Sequence, residues 1–337
     1  MIARARPPRG LSWPRLCVAA IRLAVALVAA GCFATASMAQ TAERKGPLAH
    51  VRSWGYQLQH AKVDRIAGSP HDLVVIDYSR DGSAEGAFTA EEVQRMQTRP
   101  DGGRRMVLAY LSIGEAETYR DYWRWYWGGK WYTRWLGWLL APSWLGPENT
   151  SWRGNFAVRY WDPGWQALIV GPGGYVERIR AAGFDGVYLD KIDSSIEPIA
   201  KRRPSALDDM RALVRRIAEV GRIGKPAFAV VPQNGEELLT DDAYVALVDG
   251  LGKEDLLYGE FTEKKANPEN VIAKRITLLQ RLTQAGKTVL AVEYLDDADR
   301  IAAARERLEG LGFVPYFADR PLATLRYGDL PSTAAAR

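Results

Sequence analysis

One carboxyl group stands out by its position along the chain. Asp190 closes the apolar run GFDGVYLD (residues 183–190), and Glu254 is one of several further acids near predicted strand ends, following the sixth in VDGLGKED. An acid placed where a buried strand stops is either an ordinary strand-end residue, solvated or capping the next helix, or a group that the strand exists to hold. Repetition favours the second reading. Asp77 follows VVI, Glu115 and Glu117 fall in AYLSIGEAE, Glu293 follows LAV, and Asp319 comes shortly after PYFA. Aromatic rings stand beside these ends at Tyr78, Tyr110, Tyr188, Tyr294 and Tyr316. Carboxyls gathered with rings suit a carbohydrate, because hydroxyls find acceptors and sugar faces find stacking partners. A pair of carboxyls can also split a glycosidic bond, one protonating the leaving oxygen while the other attacks C1 or activates water.

Other chemistries are poorly supplied. The three histidines, His50, His60 and His71, all lie near the N-terminus, so a Ser-His-Asp triad or a multi-histidine metal site would have to be built from them alone. Both cysteines, Cys17 and Cys32, fall in the first forty residues. That segment carries Arg4, Arg6, Arg9 and Arg15, an apolar stretch Leu23–Ala36 and the small residues Ala36-Ser37-Met38-Ala39, the pattern of a secretory signal peptide over residues 1–39. Arg22 leaves only about fourteen apolar residues, fewer than the roughly 20 of a spanning helix, so no stable membrane span is expected in a mature form. Cys32 after Ala30-Gly31 admits a lipid-anchored variant of the same export. Removing the segment leaves no thiol for a disulfide, a nucleophile or a metal. It also takes away five basic residues and no acid from the 45 basic and 40 acidic residues, so the mature chain is formally neutral and gives no reason to invoke nucleic acid. A secreted or periplasmic protein is expected.

The acids must be positioned by the elements before them. Strands are predicted at Ser53–Leu58, Leu73–Asp77, Met106–Leu111, Gly186–Asp190, Ala227–Val231, Tyr244–Val248, Thr288–Glu293 and Phe313–Phe317. Runs such as LVVID, MVLAYL and TVLAVE are apolar throughout, as in strands covered on both faces. Helical patterns lie between them at Thr89–Gln97, Tyr175–Ala182, Ala206–Val220, Glu269–Ala285 and Ala298–Leu308, with Gly171–Gly174 read as a kink. Eight strands alternating with helices are the count of an α/β (β/α)8 TIM barrel, whose catalytic groups come from the C-terminal strand ends. An open doubly wound sheet is the alternative, but no GxGxxG or phosphate loop follows an early strand. The barrel domain is expected over residues 48–328, with a polar tail at 329–337.

One insertion, about residues 116–160 between strands 3 and 4, holds eight of the twelve tryptophans: Trp123, Trp125, Trp127, Trp131, Trp135, Trp138, Trp144 and Trp152. The four-residue spacing of Trp123, Trp127, Trp131 and Trp135 predicts a helix with one indole face, either a packing stripe, a sugar-stacking wall or a membrane-surface contact. Few lysines accompany it, which weakens the last.

The ordered segments IDYSRDG, VLAYLSIGEAETYRDYW, WRGNFAVRYWDPGW, GFDGVYLDKID, VVPQNGEEL, VDGLGKEDLLYG, VLAVEYL and GFVPYFADRPLATL resemble glycoside hydrolase family 114, the endo-α-1,4-polygalactosaminidases, from about Trp54 to Leu325. The resemblance implies a TIM barrel that cuts partly deacetylated α-1,4-linked galactosamine polysaccharide with two carboxylates and no metal or other cofactor. By motif, Asp190 matches the essential acid ending the fourth strand and Glu254 the essential acid after the sixth, although Asp255 and Glu260 in GLGKEDLLYGE compete with Glu254. Asp190 is then expected as nucleophile or base and Glu254 as general acid/base with a raised pKa. Asp77, Tyr78, Tyr110, Glu115, Tyr188, Asp193, Asn234, Glu293 and Tyr316 would bind or orient the sugar. A non-catalytic polysaccharide-binding protein on the same barrel, or a hydrolase of another glycan, would carry many of the same features.

Overall fold

The computed structural model describes residues 43–128 and 140–327. The expected signal segment with its two cysteines, Trp131, Trp135, Trp138 and the 329–337 tail lie outside the described residues. Eight parallel strands form the frame: β1 (Trp54–Gln57), β2 (Leu73–Asp77), β3 (Met106–Ser112), β7 (Gly186–Asp190), β8 (Ala229–Pro232), β9 (Gly250–Glu254), β10 (Thr288–Glu293) and β11 (Val314–Phe317). Strands β4 (Glu115–Glu117), β5 (Leu145–Glu148) and β6 (Asn155–Val158) belong to the insertion. The ladders run β1-β2-β3-β7-β8 and β9-β10-β11, all parallel. A parallel bridge between Gln233 and Gly252 joins β8 to β9. The ring closes where the Trp54 indole N–H donates to the Val314 carbonyl at 2.9 Å and Leu58 N donates to the Leu322 carbonyl at 2.9 Å. This is a (β/α)8 barrel.

Helices α1 (Val63–Ala67), α2 (Ala90–Met96), α3 (Pro163–Val170), α4 (Tyr175–Ala181), α5 (Ala206–Arg222), α6 (Asp242–Leu247), α7 (Glu269–Gln284) and α8 (Ala298–Gly310) fall between the strands. Their starts follow capping chemistry. Thr89 and Glu92 form a reciprocal capping box on α2, and Asp162 accepts from Gly164 N before Pro163 at the first turn of α3. Gly171–Gly174 is a full break between α3 and α4 rather than a kink, with Gly173 at φ +70°.

Strand alternation sorts the apolar residues into two cores. Val74, Ile76, Val107, Ala109, Val187, Leu189, Val230 and Leu251 face outward to the helices. Leu73, Val75, Leu108, Val231, Leu290 and Val292 face inward. The inner core ends in an aromatic plug: Trp54 packs against Tyr56, Tyr188 and Tyr316 with ring centroids 6.0, 6.2 and 5.5 Å apart.

Two expectations are corrected. Tyr244–Val248 is not a strand. Asp241 caps the chain there, accepting from Ala243 N and Tyr244 N to start helix α6, and the sixth barrel strand follows at Gly250–Glu254. Its glycines hide it from a propensity reading, yet the barrel requires at least one of them. A Cβ on Gly252 would lie 1.9 Å from the Tyr188 hydroxyl oxygen, because Tyr188 fills the interior at that level. The second correction concerns the insertion. Residues 118–128 contain turns and no helix, so Trp123 and Trp127 are not on a helical stripe. They pack instead against one another (5.6 Å) and against Phe156 (4.7 Å from Trp123) and Trp144 (5.4 Å from Trp127), docking a small antiparallel sheet of order β4-β6-β5.

Candidate active site

The C-terminal mouth of the barrel opens into a cavity of about 590 Å³. Asp190 shares the inward parity of Gly186 and Tyr188, and Glu254 shares that of Gly250 and Gly252; both carboxyls line this cavity. One strand, β8, separates their strands, so their Cα atoms are on the order of 10 Å apart, with side chains aimed at a common axis. The turns that leave the three strands share an unusual feature. Lys191, Asn234 and Asp255, each just beyond a strand end, adopt φ of +63°, +58° and +53°. Non-glycine residues in the left-handed region cost about 1–3 kcal/mol each and persist where the surrounding structure holds them, often at functional sites.

Each carboxylate has two donors. Asp190 Oδ2 accepts from the Tyr110 hydroxyl at 2.7 Å, and its Oδ1 accepts from Lys191 N at 2.7 Å, a bond that the left-handed turn makes possible. Burial pushes Asp190 up to about 7; the Tyr110 hydrogen bond pulls the other way, and the nearby Glu254 charge adds to the rise. Glu254 Oε1 accepts from the Tyr294 hydroxyl and Oε2 from Gln233 Nε2 at 2.9 Å, while Gln233 Oε1 accepts from Tyr56 at 3.0 Å. Asn234 Oδ1 accepts from Glu254 N at 3.2 Å and from Lys253 Nζ at 2.9 Å, tying the turn after β8 to the end of β9. Asp255 instead faces Arg320 (2.9 Å to each oxygen), and Glu260 pairs with Arg275; neither lines the cavity.

The remaining acids of the cavity are held by the insertion. Arg120 donates to both oxygens of Asp77 (2.8 and 2.7 Å) and to Glu117 at 2.6 Å, all three being buried. Glu115 accepts from Asn149 at 2.8 Å and Asn155 at 3.3 Å and lies 3.3 Å from Lys191 Nζ. Burial opposes the Lys191 charge, but Asp193, Glu115 and Glu197 outweigh it and keep the ammonium protonated. Asp193 completes this wall.

Of the eleven residues singled out in the sequence, Asp77, Tyr110, Glu115, Asp190, Asp193, Asn234 and Glu254 meet in the cavity, and four do not. Tyr78 has outward parity and packs edge-on against Tyr175 at 5.3 Å. Glu293 also points outward. Its carboxyl accepts from Leu257 N (2.8 Å) and Tyr258 N (3.1 Å), fastening the loop after β9, and burial pushes it up to about 8. Tyr188 and Tyr316 face inward but belong to the aromatic plug below the site, where Tyr316 accepts from Arg326 N at 3.0 Å. Gln233, Tyr56, Lys191 and Arg120 were missed, and Tyr294, noted beside a strand end, was not among the eleven. Gln233 and Tyr56 were detectable by counting residues in twos from their inward neighbours Val231 and Trp54, and Lys191 by its place beside Asp190.

A (β/α)8 barrel presenting inward carboxylates from two strand ends in one cavity is an arrangement that barrel-borne glycoside hydrolases use. The family model of glycoside-hydrolase family GH114 matches residues 34–329, and the chain belongs to that family. An uncharacterized protein of Methanocaldococcus jannaschii, MJ1477, is 37% identical over 288 residues, covering 81% of this chain and 77% of its own. An uncharacterized protein of Thermotoga maritima is 38% identical over 279 residues, covering 79% and 80%. The glycoside hydrolase domain of PelA from Pseudomonas aeruginosa superposes with a TM-score of 0.60 at 18% identity, covering 81% of this chain and 97% of that domain, a likeness of fold.

Proposed function

We propose that the protein is an exported, endo-acting glycoside hydrolase that cleaves α-1,4-linked galactosamine polysaccharide, with Asp190 as nucleophile or base and Glu254 as general acid/base. The observation that carries this reading is the opening of both carboxyls onto one cavity, each fixed by a tyrosine hydroxyl and a second donor. Donors on both oxygens hold each carboxyl in one orientation, which is what a proton transfer or an attack at C1 needs. The charge of the cavity supports a cationic amino sugar. Among the described residues seven carboxyl groups line it, Asp77, Asp81, Glu115, Glu117, Asp190, Asp193 and Glu254, against four basic side chains, Arg80, Arg153, Lys191 and Arg320, and against Arg120, which pairs with Asp77 and Glu117. Export rests on the basic-then-apolar N-terminal segment and its small residues.

Product length tests the reading. Incubation with partly deacetylated α-1,4-galactosamine polymer should release oligomers of many lengths early in the reaction, followed by mass spectrometry. A polymer that stays intact, with no new reducing ends, would refute hydrolysis of this substrate; monomer release alone would refute the endo mode.

A further inference from the structure

Two aromatic side chains of the insertion are displayed at the cavity rather than buried. Trp152 is 55% and Tyr119 47% exposed, and both line the cavity. An exposed indole is ordinarily free to move, but here the backbone beneath it is built in. Asn149 Oδ1 accepts from Ser151 N at 3.0 Å and Trp152 N at 3.3 Å, while the amide nitrogen of the same side chain donates to Glu115 at 2.8 Å. Asn155 N closes the turn on the Trp152 carbonyl at 3.1 Å, and Gly154 at φ +91° turns the chain back into β6. One asparagine therefore ties the tryptophan-bearing turn to a cavity carboxylate. Tyr119 is pinned separately. Its hydroxyl donates to Glu117 at 2.5 Å, and its ring lies over Gly82, where a Cβ would come within 2.3 Å of it. Trp125, in the same insertion, is 74% exposed and does not line the cavity.

We propose that Trp152, with Tyr119, forms an aromatic subsite beside the Asp190–Glu254 pair that stacks against a galacto-configured glycosyl unit of the bound chain. The chemistry selects the configuration. An axial O4 gathers C3–H, C4–H and C5–H into a continuous apolar patch on one face of the ring, which fits an indole face; an equatorial O4 leaves the axial C–H bonds divided between the two faces. A pinned Tyr119 ring and a tryptophan carried on a fixed turn also lose little freedom when the sugar arrives. The inference rests on the proposed polysaccharide reading and adds a residue that senses ring configuration.

Binding separates the two ideas, because it requires no cleavage. On the Glu254→Gln background, affinity is measured by calorimetry for α-1,4-galactosamine oligomers of four to eight units, with α-1,4-linked glucosamine oligomers of equal length and charge as the gluco-configured control. Trp152→Ala is expected to weaken galactosamine binding about tenfold, Trp152→Phe to recover part of the loss, and Trp125→Ala to change nothing. The glucosamine oligomers should bind more weakly and respond less to Trp152→Ala. Equal losses from Trp152→Ala and Trp125→Ala, equal dependence on Trp152 for both sugars, or no binding of galactosamine oligomers would each overturn the subsite. Binding that follows the expected pattern, in a wild-type protein that cleaves nothing, would instead remove the proposed hydrolysis and leave the subsite standing.

Discussion

Tyr110→Phe deletes the hydroxyl that donates to Asp190 Oδ2 at 2.7 Å and leaves the ring that packs the barrel. A hydrogen bond to a charged group contributes about 1.5–3 kcal/mol, and one pKa unit corresponds to about 1.36 kcal/mol. Together these give a rise of about one to two units. Asp190 keeps its second donor, Lys191 N at 2.7 Å, and borders the cavity, so screening places the change at the lower end. A group at about 7 thus moves to roughly 8. With Asp190 acting as nucleophile or base, its ionised form is the active one. The kcat/KM of the wild type should climb as pH rises through about 7, and that of the variant about one unit higher. At pH 7 the ionised fraction falls from about half to about one tenth, which predicts a loss of about fivefold in kcat/KM there and a smaller loss at alkaline pH. The assay is reducing-end release over a pH series, with carboxyl 13C shifts of labelled aspartate as a readout independent of turnover. An unmoved or lowered midpoint would refute the hydrogen-bond argument. A wild-type rate that falls through about 7 as pH rises would refute the role given to Asp190.

Other consequences follow from the same contacts. Because the native state raises Asp190 from 3.8 to about 7, it holds that proton more tightly than the unfolded chain; the resulting stability is complete below about pH 4 and lost as pH rises through about 7. The Tm of Asp190→Asn relative to the wild type should therefore increase steadily between pH 4 and pH 8 in thermal scans, and a constant difference would contradict this. Arg120→Met strands the buried carboxylates of Asp77 and Glu117 and should cost about 3–5 kcal/mol in denaturant unfolding; a loss under 1 kcal/mol would show that the cluster relaxes. Gly252→Ala, with its Cβ 1.9 Å from the Tyr188 oxygen, should destabilise by about 1–3 kcal/mol or more, with partial recovery in the double variant carrying Tyr188→Leu. Additive losses in that double variant would refute the steric account.

The frame was legible wherever burial on both faces left an uninterrupted apolar run, as in LVVID, MVLAYL and TVLAVE, which became β2, β3 and β10. It was illegible at β9, where packing replaced propensity: GLGKE carries a glycine at 252 because Tyr188 occupies the space that a side chain there would need. The four-residue spacing of the tryptophans misled for a similar reason, since Trp123 and Trp127 answer to Phe156 and Trp144 rather than to a helix axis. Within the site, strand parity explains the inward acids and the outward ones. Asp77, Asp190 and Glu254 fall an even number of residues from inward neighbours, whereas Tyr78 and Glu293 do not. Depth is different information. Tyr188 and Tyr316 have the right parity and lie in the plug because the stagger of the strands sets their level, and no single strand carries that stagger.

The central claim is that the carboxyls at 190 and 254 act together on one glycosidic bond. The most direct measurement compares reducing-end release from partly deacetylated α-1,4-galactosamine polymer by the wild type, Asp190→Asn and Glu254→Gln, each shown by circular dichroism to keep the wild-type fold. Losses of about 10²–10⁴-fold or more in both variants are predicted. A folded variant of either kind that cleaves the polymer at the wild-type rate would contradict it.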